Sequence, residues 1–167
     1  MGIDPGLAST GFGVVAVASG RMRAIDGGVV ASPADAPTSS RLARIHASLE
    51  ELLGWHEPAA VALEELYFGK NVRSAIAVGE ARGVAMLAAA QRGIPCFDYS
   101  PQAVKKAVCG TGSAAKRQVQ RMVGTLLGLP CPPSSDHAAD ALAVAICHAS
   151  HAGAAAAPAG PLAGVTG

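Results

Sequence analysis

The feature that most constrains the fold of this chain is a change of residue pattern near position 40. Before it, three short apolar runs at 2–4, 12–17 and 29–30 are each followed by a turn or a loop. Asp4-Pro5-Gly6 is a strong turn signal of this kind. Strands joined by such short connections form an antiparallel meander, so we expect three antiparallel strands in this part of the chain.

From position 40 onward, helical spacing alternates with strand-like runs. Ser39 or Ser40 can cap a helix whose apolar face carries leucine and isoleucine at 42, 45, 49, 52 and 53. The apolar run 59–63 lies between helices and is typical of a buried parallel strand. The remaining predicted elements are a helix over 72–92, a strand over 94–99, and helices that start at Pro101, after a Ser113 cap, and near Ser135.

These elements predict an α/β domain with a mixed five-stranded sheet and helices on both faces. We expect the last helix to end near Ala149 and the domain to span residues 1–151. The Ala-, Gly- and Pro-rich residues 152–167 have no periodicity and are predicted to be a disordered tail. In the 72–92 helix, Ala75, Gly79 and Gly83 share one stripe, which indicates close packing of another backbone, within the fold or across a dimer.

Composition excludes some classes of protein but does not indicate which reaction or ligand the chain serves. Half of the 167 residues are hydrophobic, 15% are charged and the net charge is +1, which excludes wholesale disorder. No apolar run reaches the roughly 18 residues of a membrane span. The start lacks the basic and apolar regions of a signal peptide, so we expect a cytoplasmic protein with no membrane partner.

Charge is distributed unevenly along the chain. Residues 70–121 carry nine Lys or Arg against Glu80 and Asp98 alone, whereas residues 1–69 carry four basic and eight acidic residues. Such asymmetry is typical of a basic surface for phosphates, although solvated helix faces give similar counts. A net charge near zero therefore does not exclude a nucleic-acid partner.

The four cysteines form no C-x-x-C pair and are typical of reduced thiols in a cytosolic protein. Cys147-His148-x-x-His151 could form a zinc corner, but a single cluster without a second pair is weak evidence for one.

Three carboxylates and one imidazole carry the strongest chemical signal. Asp4 and Glu64 each end a predicted buried strand, where sites form in open α/β sheets. His137 and Asp140 share a face of the apolar last helix, and an unpaired buried charge there is costly. If the first and fourth strands are neighbours, these four side chains converge, and a divalent cation is needed to hold carboxylates so close. Such a donor set favours Mg²⁺ or Mn²⁺ over zinc.

Four ordered blocks of the sequence resemble the RuvC family of Holliday junction resolvases, over residues 2 to about 148. The blocks are Gly2-Ile3-Asp4-Pro5-Gly6 with Thr10-Gly11-Phe12-Gly13-Val14, then Leu63-Glu64-Glu65-Leu66-Tyr67-Phe68-Gly69-Lys70-Asn71, then Gly110-Thr111-Gly112-Ser113-Ala114, and His137-Ala138-Ala139-Asp140-Ala141-Leu142-Ala143.

The resemblance implies an RNase H-like fold, a homodimer and metal-dependent nicking of four-way DNA junctions during recombination and repair, leaving 5′-phosphate and 3′-hydroxyl ends. By position it assigns catalysis and metal binding to Asp4, Glu64, His137 and Asp140. Two Mg²⁺ ions per site are implied, with Mn²⁺ as a substitute. Asp4 would bridge the ions, Glu64 and Asp140 would complete one each, and His137 would bind a metal or orient the attacking water. Partnership with the branch-migration proteins RuvA and RuvB is also implied.

The resemblance further implies DNA contacts. Lys105 and Lys116 match basic positions of the family, and Tyr67 matches an aromatic that stacks on unpaired bases at the junction. Phosphate neutralisation by basic side chains would make the affinity depend on salt. The full set of expected DNA-binding residues is Tyr67, Phe68, Lys70, Asn71, Arg73, Lys105, Lys106, Lys116 and Arg117; for Phe68, packing against the sheet is an open alternative.

Two departures from the family pattern qualify this expectation. Many members have Asp where this chain has His137, which makes the centre less anionic and metal binding more dependent on pH. Members also carry more apolar residues before Gly-Ile-Asp, so we expect either a short first strand or a true start upstream.

Two rival classes are an actin-like sugar or acyl kinase, which would need a second similar domain, and a junction-binding architectural protein without catalysis.

Overall fold

A computed structural model describes residues 1–65, 72–133 and 135–156 of the chain. Within these residues it contains five strands and five helices. In chain order they are β1 (Gly2–Asp4), β2 (Ser9–Ala18), β3 (Arg21–Ala31), α1 (Thr38–His56), β4 (Val61–Glu64), α2 (Val72–Gln91), β5 (Cys96–Tyr99), α3 (Pro101–Cys109), α4 (Lys116–Leu127) and α5 (Asp136–Ala156).

The strands form one mixed sheet in the order β3-β2-β1-β4-β5. β1, β2 and β3 pair antiparallel, whereas β4 pairs parallel with both β1 and β5. The predicted meander and the predicted parallel strand are therefore both confirmed. Ile3 lies at the centre, opposite Phe12 on one side and Leu63 on the other, so β1 and β4 are neighbours as the site hypothesis requires.

Helices cover both faces of the sheet, as predicted. Because side chains alternate along a strand, Val61 and Leu63 of β4 pack in the core on the α1 and α2 face, while Ala62 packs among residues of α3, α4 and α5. The two cores are mainly aliphatic, and Ile3, Val61 and Leu63 are fully buried.

α5 approaches the sheet more closely than side chains normally allow. A Cβ atom at Gly2 would overlap the carbonyl oxygen of Ala141, and one at Gly11 would overlap that of His137. Glycine at these positions of β1 and β2 lets the first turns of α5 lie directly on the sheet. This packing sets the distance between α5 and the sheet, and with it the positions of His137 and Asp140.

β3 is longer than the sequence pattern predicts. It starts at Arg21, directly after a two-residue turn in which Ser19 and Gly20 both have positive φ, 51° and 74°. Such a turn matches the twist of a hairpin and lets pairing begin at once. The polar residues between Arg21 and Asp26 conceal this part of the strand in the sequence.

The predicted serine caps of two helices are wrong. Pro37, with extended ψ, precedes α1, so Ser39 and Ser40 lie inside the first turn and no side chain caps it. Ala115 precedes α4, also without a side-chain cap, because the Ser113 hydroxyl instead hydrogen-bonds that of Thr111 at 3.0 Å.

α5 is longer than expected. It continues past Ala149 to Ala156 and so includes residues 152–156, which the sequence analysis assigns to the tail. Alanine is the best helix former, and three of these residues follow Gly153 as an alanine run. The predicted disorder of 157–167 lies outside the described residues. None of the described helices is long and apolar enough to cross a membrane.

Candidate active site

The structure brings the four predicted site residues to one end of the sheet. Asp4 and Glu64 end the parallel neighbours β1 and β4, so both side chains emerge at the same edge. α5 crosses this edge with His137 and Asp140 one turn apart. The Nδ1 atom of His137 lies 2.7 Å from Oδ2 of Asp4. This contact joins the first of the four sequence blocks that resemble the RuvC family to the last.

The carboxylates of this cluster oppose one another electrostatically. Burial raises the pKa of Asp4, the hydrogen bond from His137 lowers it in part, and the charge of Asp140 raises it again. Burial also raises the pKa of Glu64, and the charges of Asp4 and Asp140 add to that effect. Both groups therefore ionise less readily than they would in water, first because they are buried and then because other carboxylates lie near.

Lys116, the first residue of α4, supplies a positive charge to the cluster. Its Nζ atom lies 3.1 Å from Oδ2 of Asp140 and 3.1 Å from Oδ2 of Asp136. Burial lowers the pKa of Lys116, but the hydrogen bonds to these two carboxylates outweigh this and raise it overall. Gln120 donates to the other oxygen of Asp136 at 2.6 Å and so holds this carboxylate beside the lysine.

A cavity of about 260 Å³ adjoins the carboxylates. Glu64, Lys105, Lys116 and Asp140 line it, together with apolar residues of α3, α4 and α5. The two lysines that resemble DNA-contacting residues of the family thus share one depression with two of the predicted catalytic carboxylates.

The remaining predicted DNA-binding residues are dispersed or lie outside the described part of the chain. Arg73, at the start of α2, and Arg117, beside Lys116, are exposed. Lys106 is exposed too, but it lines a different depression with His151, so the structure separates it from Lys105. The predicted residues Tyr67, Phe68, Lys70 and Asn71 lie outside the described residues.

The chemistry of the donor set fits divalent cations. Three carboxylates supply the oxygen ligands of a divalent cation, and the imidazole of His137 could supply a nitrogen ligand beside them. Within residues 1–65, 72–133 and 135–156, no three acidic, His or Cys side chains already stand at metal-binding spacing. His137 engages Asp4, and Lys116 engages Asp140, so cation binding requires these contacts to rearrange.

Sequence reasoning missed two side chains that support the site from α2 and β5. Arg82 is 9% exposed and donates from Nη1 to the backbone carbonyl of Glu64 at 2.8 Å. Its Nη2 atom donates to Asp98 of β5. A charged residue among the buried alanines Ala81, Ala85 and Ala88 is the same anomaly that singled out Asp140, so the sequence did contain a signal for it.

The Cys147 corner does not have the properties of a zinc site. Burial raises the pKa of the Cys147 thiol to about 11, which makes the free thiol a poor nucleophile. Its sulfur lies 3.7 Å from Nδ1 of His151, while His148 pairs with the Tyr99 hydroxyl at 2.8 Å. These contacts tie β5 to α5 and match the inert thiol favoured by the sequence analysis.

Comparison with known proteins identifies the family of the chain. Residues 1–148 match the family model described as crossover junction endodeoxyribonuclease RuvC. A protein of that name from Pelotomaculum thermopropionicum is 50% identical over 151 residues, covering 90% of this chain and 92% of its own length. Another of that name from Chloroflexus aggregans is 52% identical over 149 residues, covering 89% and 91%.

A solved structure extends the likeness to three dimensions. Thermus thermophilus RuvC in complex with a Holliday junction substrate aligns with a TM-score of 0.86 at 43% identity, covering 90% of this chain and 92% of that one. The mixed five-stranded sheet with helices on both faces is accordingly an RNase H-like fold. The chain belongs to the crossover junction endodeoxyribonuclease RuvC family.

Proposed function

We propose that this protein is a Holliday junction resolvase, a divalent-metal-dependent endonuclease that nicks four-way DNA junctions at symmetric positions during recombination and repair. The observation that carries the proposal is the gathering of Asp4, Glu64, His137 and Asp140 at one end of the sheet in a chain of the RuvC family. Nucleases of this family depend on divalent metal ions. The products would be 5′-phosphate and 3′-hydroxyl ends that a ligase can rejoin.

Asp4, Glu64, Asp140 and His137 would hold two Mg²⁺ ions, with Mn²⁺ as a substitute. Bound there, the ions would activate water and stabilise charge on the attacking and leaving oxygens. Before a cation binds, His137 orients the Asp4 carboxylate through its Nδ1 contact of 2.7 Å. The burial of Asp4 and Glu64 keeps their carboxylates in a poorly solvated setting, where they attract a cation more strongly than they would in water.

Lys105 and Lys116 are proposed to hold the scissile phosphate group. Both line the cavity beside Glu64 and Asp140, so a backbone phosphate bound there would lie next to the carboxylates. Exposed Arg73 and Arg117 would neutralise flanking phosphates, and Tyr67, Phe68, Lys70 and Asn71 would contact the junction itself. Lys106 would contribute only at a distance, since it lies on a different surface depression.

A homodimer would place two such sites on the two strands to be cut. α2 supports this proposal with an exposed apolar stripe that includes Val72, Ile76 and Leu87, which are 69%, 58% and 51% exposed. Gly83 lies on the same stripe, and apart from its own turns of α2 no described atom comes within 4 Å of a Cβ placed there. Close packing on this stripe would therefore come from a second copy. Cooperation with RuvA and RuvB, and a cytoplasmic location, complete the proposal.

The proposal is tested with a synthetic four-way junction and a linear duplex of the same sequence as control. The wild-type protein should nick only the junction, and only with Mg²⁺ or Mn²⁺ present. Asp4→Asn and Asp140→Asn should abolish nicking but still bind the junction in a gel-shift assay. Normal nicking by either variant would contradict the assignment. Junction binding without any nicking by the wild type would favour the architectural protein instead.

A further inference from the structure

We propose that Arg82 is a positioning residue that fixes the Glu64 carboxylate in the active site by clamping the peptide group behind it. The inference deepens the proposed function and depends on Glu64 being a metal ligand of the nuclease. Arg82 touches none of Asp4, His137 and Asp140 through any hydrogen bond or ion pair seen between described residues. Its action would therefore pass through the backbone of Glu64.

The peptide group that joins Glu64 to Glu65 is held from both sides. Its carbonyl oxygen accepts a hydrogen bond from Nη1 of Arg82 at 2.8 Å. Its N–H group, contributed by Glu65, donates to the carbonyl oxygen of Tyr99 at 2.8 Å. With both ends bonded, rotation of this peptide plane is restricted, and so is ψ of Glu64. The direction in which the Glu64 side chain leaves the backbone is thereby restricted by contacts on the α2 face of the sheet.

The second terminal nitrogen of Arg82, Nη2, holds the guanidinium group in place while Nη1 bonds to Glu64. Nη2 pairs with Oδ1 of Asp98, which lies opposite Leu63 in the register of β4 and β5. The planar guanidinium can donate to two acceptors at once in fixed directions, which a lysine ammonium cannot reproduce. Arg82 therefore spans the ends of β4 and β5 from α2, directly beneath the edge where Glu64 emerges.

The burial of Arg82 itself distinguishes this contact from an ordinary surface ion pair. The Arg82 side chain is 11% exposed, whereas its partner Asp98 is 46% exposed, so the buried end of this pair is the guanidinium group beside β4. Arg92, immediately after the same helix, offers a contrast. It pairs with Glu50 of α1 at 3.0 Å and its side chain is 37% exposed, on the α1 side of α2. Arg92 is thus an arginine ion pair near α2 that does not touch β4.

The loss of Arg82 should affect metal binding and chemistry more than DNA affinity. Without the guanidinium, the Glu64 carbonyl loses its donor and the carboxylate loses its fixed direction. Residues that orient a metal ligand typically change metal affinity or activity by about 10- to 100-fold when removed. The phosphate-contacting lysines lie on α3 and α4, so junction binding should stay close to that of the wild type.

The experiment compares full-length wild type with Arg82→Gln, Arg82→Lys and Asp98→Asn, and uses Arg92→Gln as the matched control. Mn²⁺ binding without DNA is measured by electron paramagnetic resonance. Single-turnover nicking at saturating junction and the junction Kd are measured separately, and thermal unfolding monitors stability. Arg82→Gln should weaken Mn²⁺ binding and slow nicking, each by at least about 10-fold, with little change in Kd. Asp98→Asn and Arg82→Lys should lie between Arg82→Gln and wild type, and Arg92→Gln should match wild type.

Three outcomes would overturn the inference while leaving the proposed nuclease intact. The first is wild-type Mn²⁺ binding and nicking in Arg82→Gln. The second is an equal loss in Arg92→Gln, which would indicate a general effect of destabilising α2. The third outcome applies if Arg82→Gln does not fold. In that case, normal Mn²⁺ binding by both Arg82→Lys and Asp98→Asn would overturn the inference. Failure of the wild type to nick junctions would instead contradict the proposed function.

Discussion

At the scale of single residues, burial and neighbouring charges both disfavour the ionised carboxylates of the candidate site. The pKa of Glu64 is raised first by burial and then by the charges of Asp4 and Asp140. A carboxyl group with a raised pKa in the folded protein binds protons more tightly there than in the unfolded chain. Folding stability contributed by this group is therefore present at low pH and is lost as pH rises from the unfolded pKa through the folded one.

The first residue-scale prediction concerns Glu64 itself. Glu64→Gln removes the charge that is penalised at neutral pH, so in EDTA at pH 7 its Tm should exceed that of the wild type by about 2–4 °C. The gain should shrink as pH falls through the raised pKa, because the wild-type carboxyl group becomes neutral too. Thermal unfolding from pH 4 to 8 checks this. The exposed neighbour Glu65→Gln is the control and should show no such pattern. A lower Tm for Glu64→Gln at pH 7 would contradict the prediction.

The same repulsion predicts how metal affects stability. Mg²⁺ should raise the Tm of the wild type more at pH 8 than at pH 5, because protons compete with the cation for Asp4 and Glu64. In Glu64→Gln the Mg²⁺-dependent shift should be much smaller at both pH values. Differential scanning calorimetry with and without Mg²⁺ measures it. Equal shifts at pH 5 and pH 8 in the wild type would show that these carboxylates are not the binding groups.

At the scale of elements, the site depends on how closely α5 approaches β1 and β2. His137 and Asp140 occupy the first two turns of α5, and glycines at 2 and 11 permit that helix to rest on the strands. The sequence presents these glycines as parts of a motif, without revealing what lies against them. Only the tertiary packing shows that their missing side chains make room for helix backbone.

Gly11→Ala should therefore distort the site by displacing α5. Its methyl group would overlap the carbonyl of His137, so α5 must shift, with a loss of about 1–3 kcal/mol in the free energy of unfolding. Nicking should fall more than junction binding, because His137 and Asp140 move with the helix. Gly27→Ala on β3 is the matched control, since its methyl group would meet Leu142 at an ordinary 3.5 Å. Wild-type stability and nicking in Gly11→Ala would contradict this account.

At the scale of the whole molecule, the exposed stripe of α2 predicts self-association. Leu87 is 51% exposed on this stripe, and a charge there should oppose burial against a second copy. Leu87→Glu should shift the protein from dimer to monomer in sedimentation velocity, and it should uncouple the two nicks of a junction. Trp55→Glu is the control, because Trp55 is 74% exposed and belongs to a different helix, α1. A monomeric wild type, or a dimeric Leu87→Glu, would exclude this interface.

The sequence predicted the parts of the molecule whose signals are local. Turn residues and apolar periods indicated the meander, the buried parallel strand and the helices on both faces. The carboxylates of Asp4, Glu64 and Asp140 stood out in the sequence because charge is costly in apolar elements. The helix caps and the start of β3 were not predictable in this way, since Ser113 had a competing hydroxyl partner and β3 gains its pairing from β2.

The sequence by itself determined the class of fold, the family and the residues that converge at the end of the sheet. Only the tertiary structure decided what those residues touch: His137 against Asp4, Lys116 against Asp140, and Arg82 behind Glu64. The physical reason is the range of each effect. Hydrophobic periods and turn preferences act over a few neighbouring residues, whereas these contacts join positions up to 133 residues apart in the chain and exist only once the helices have packed on the sheet.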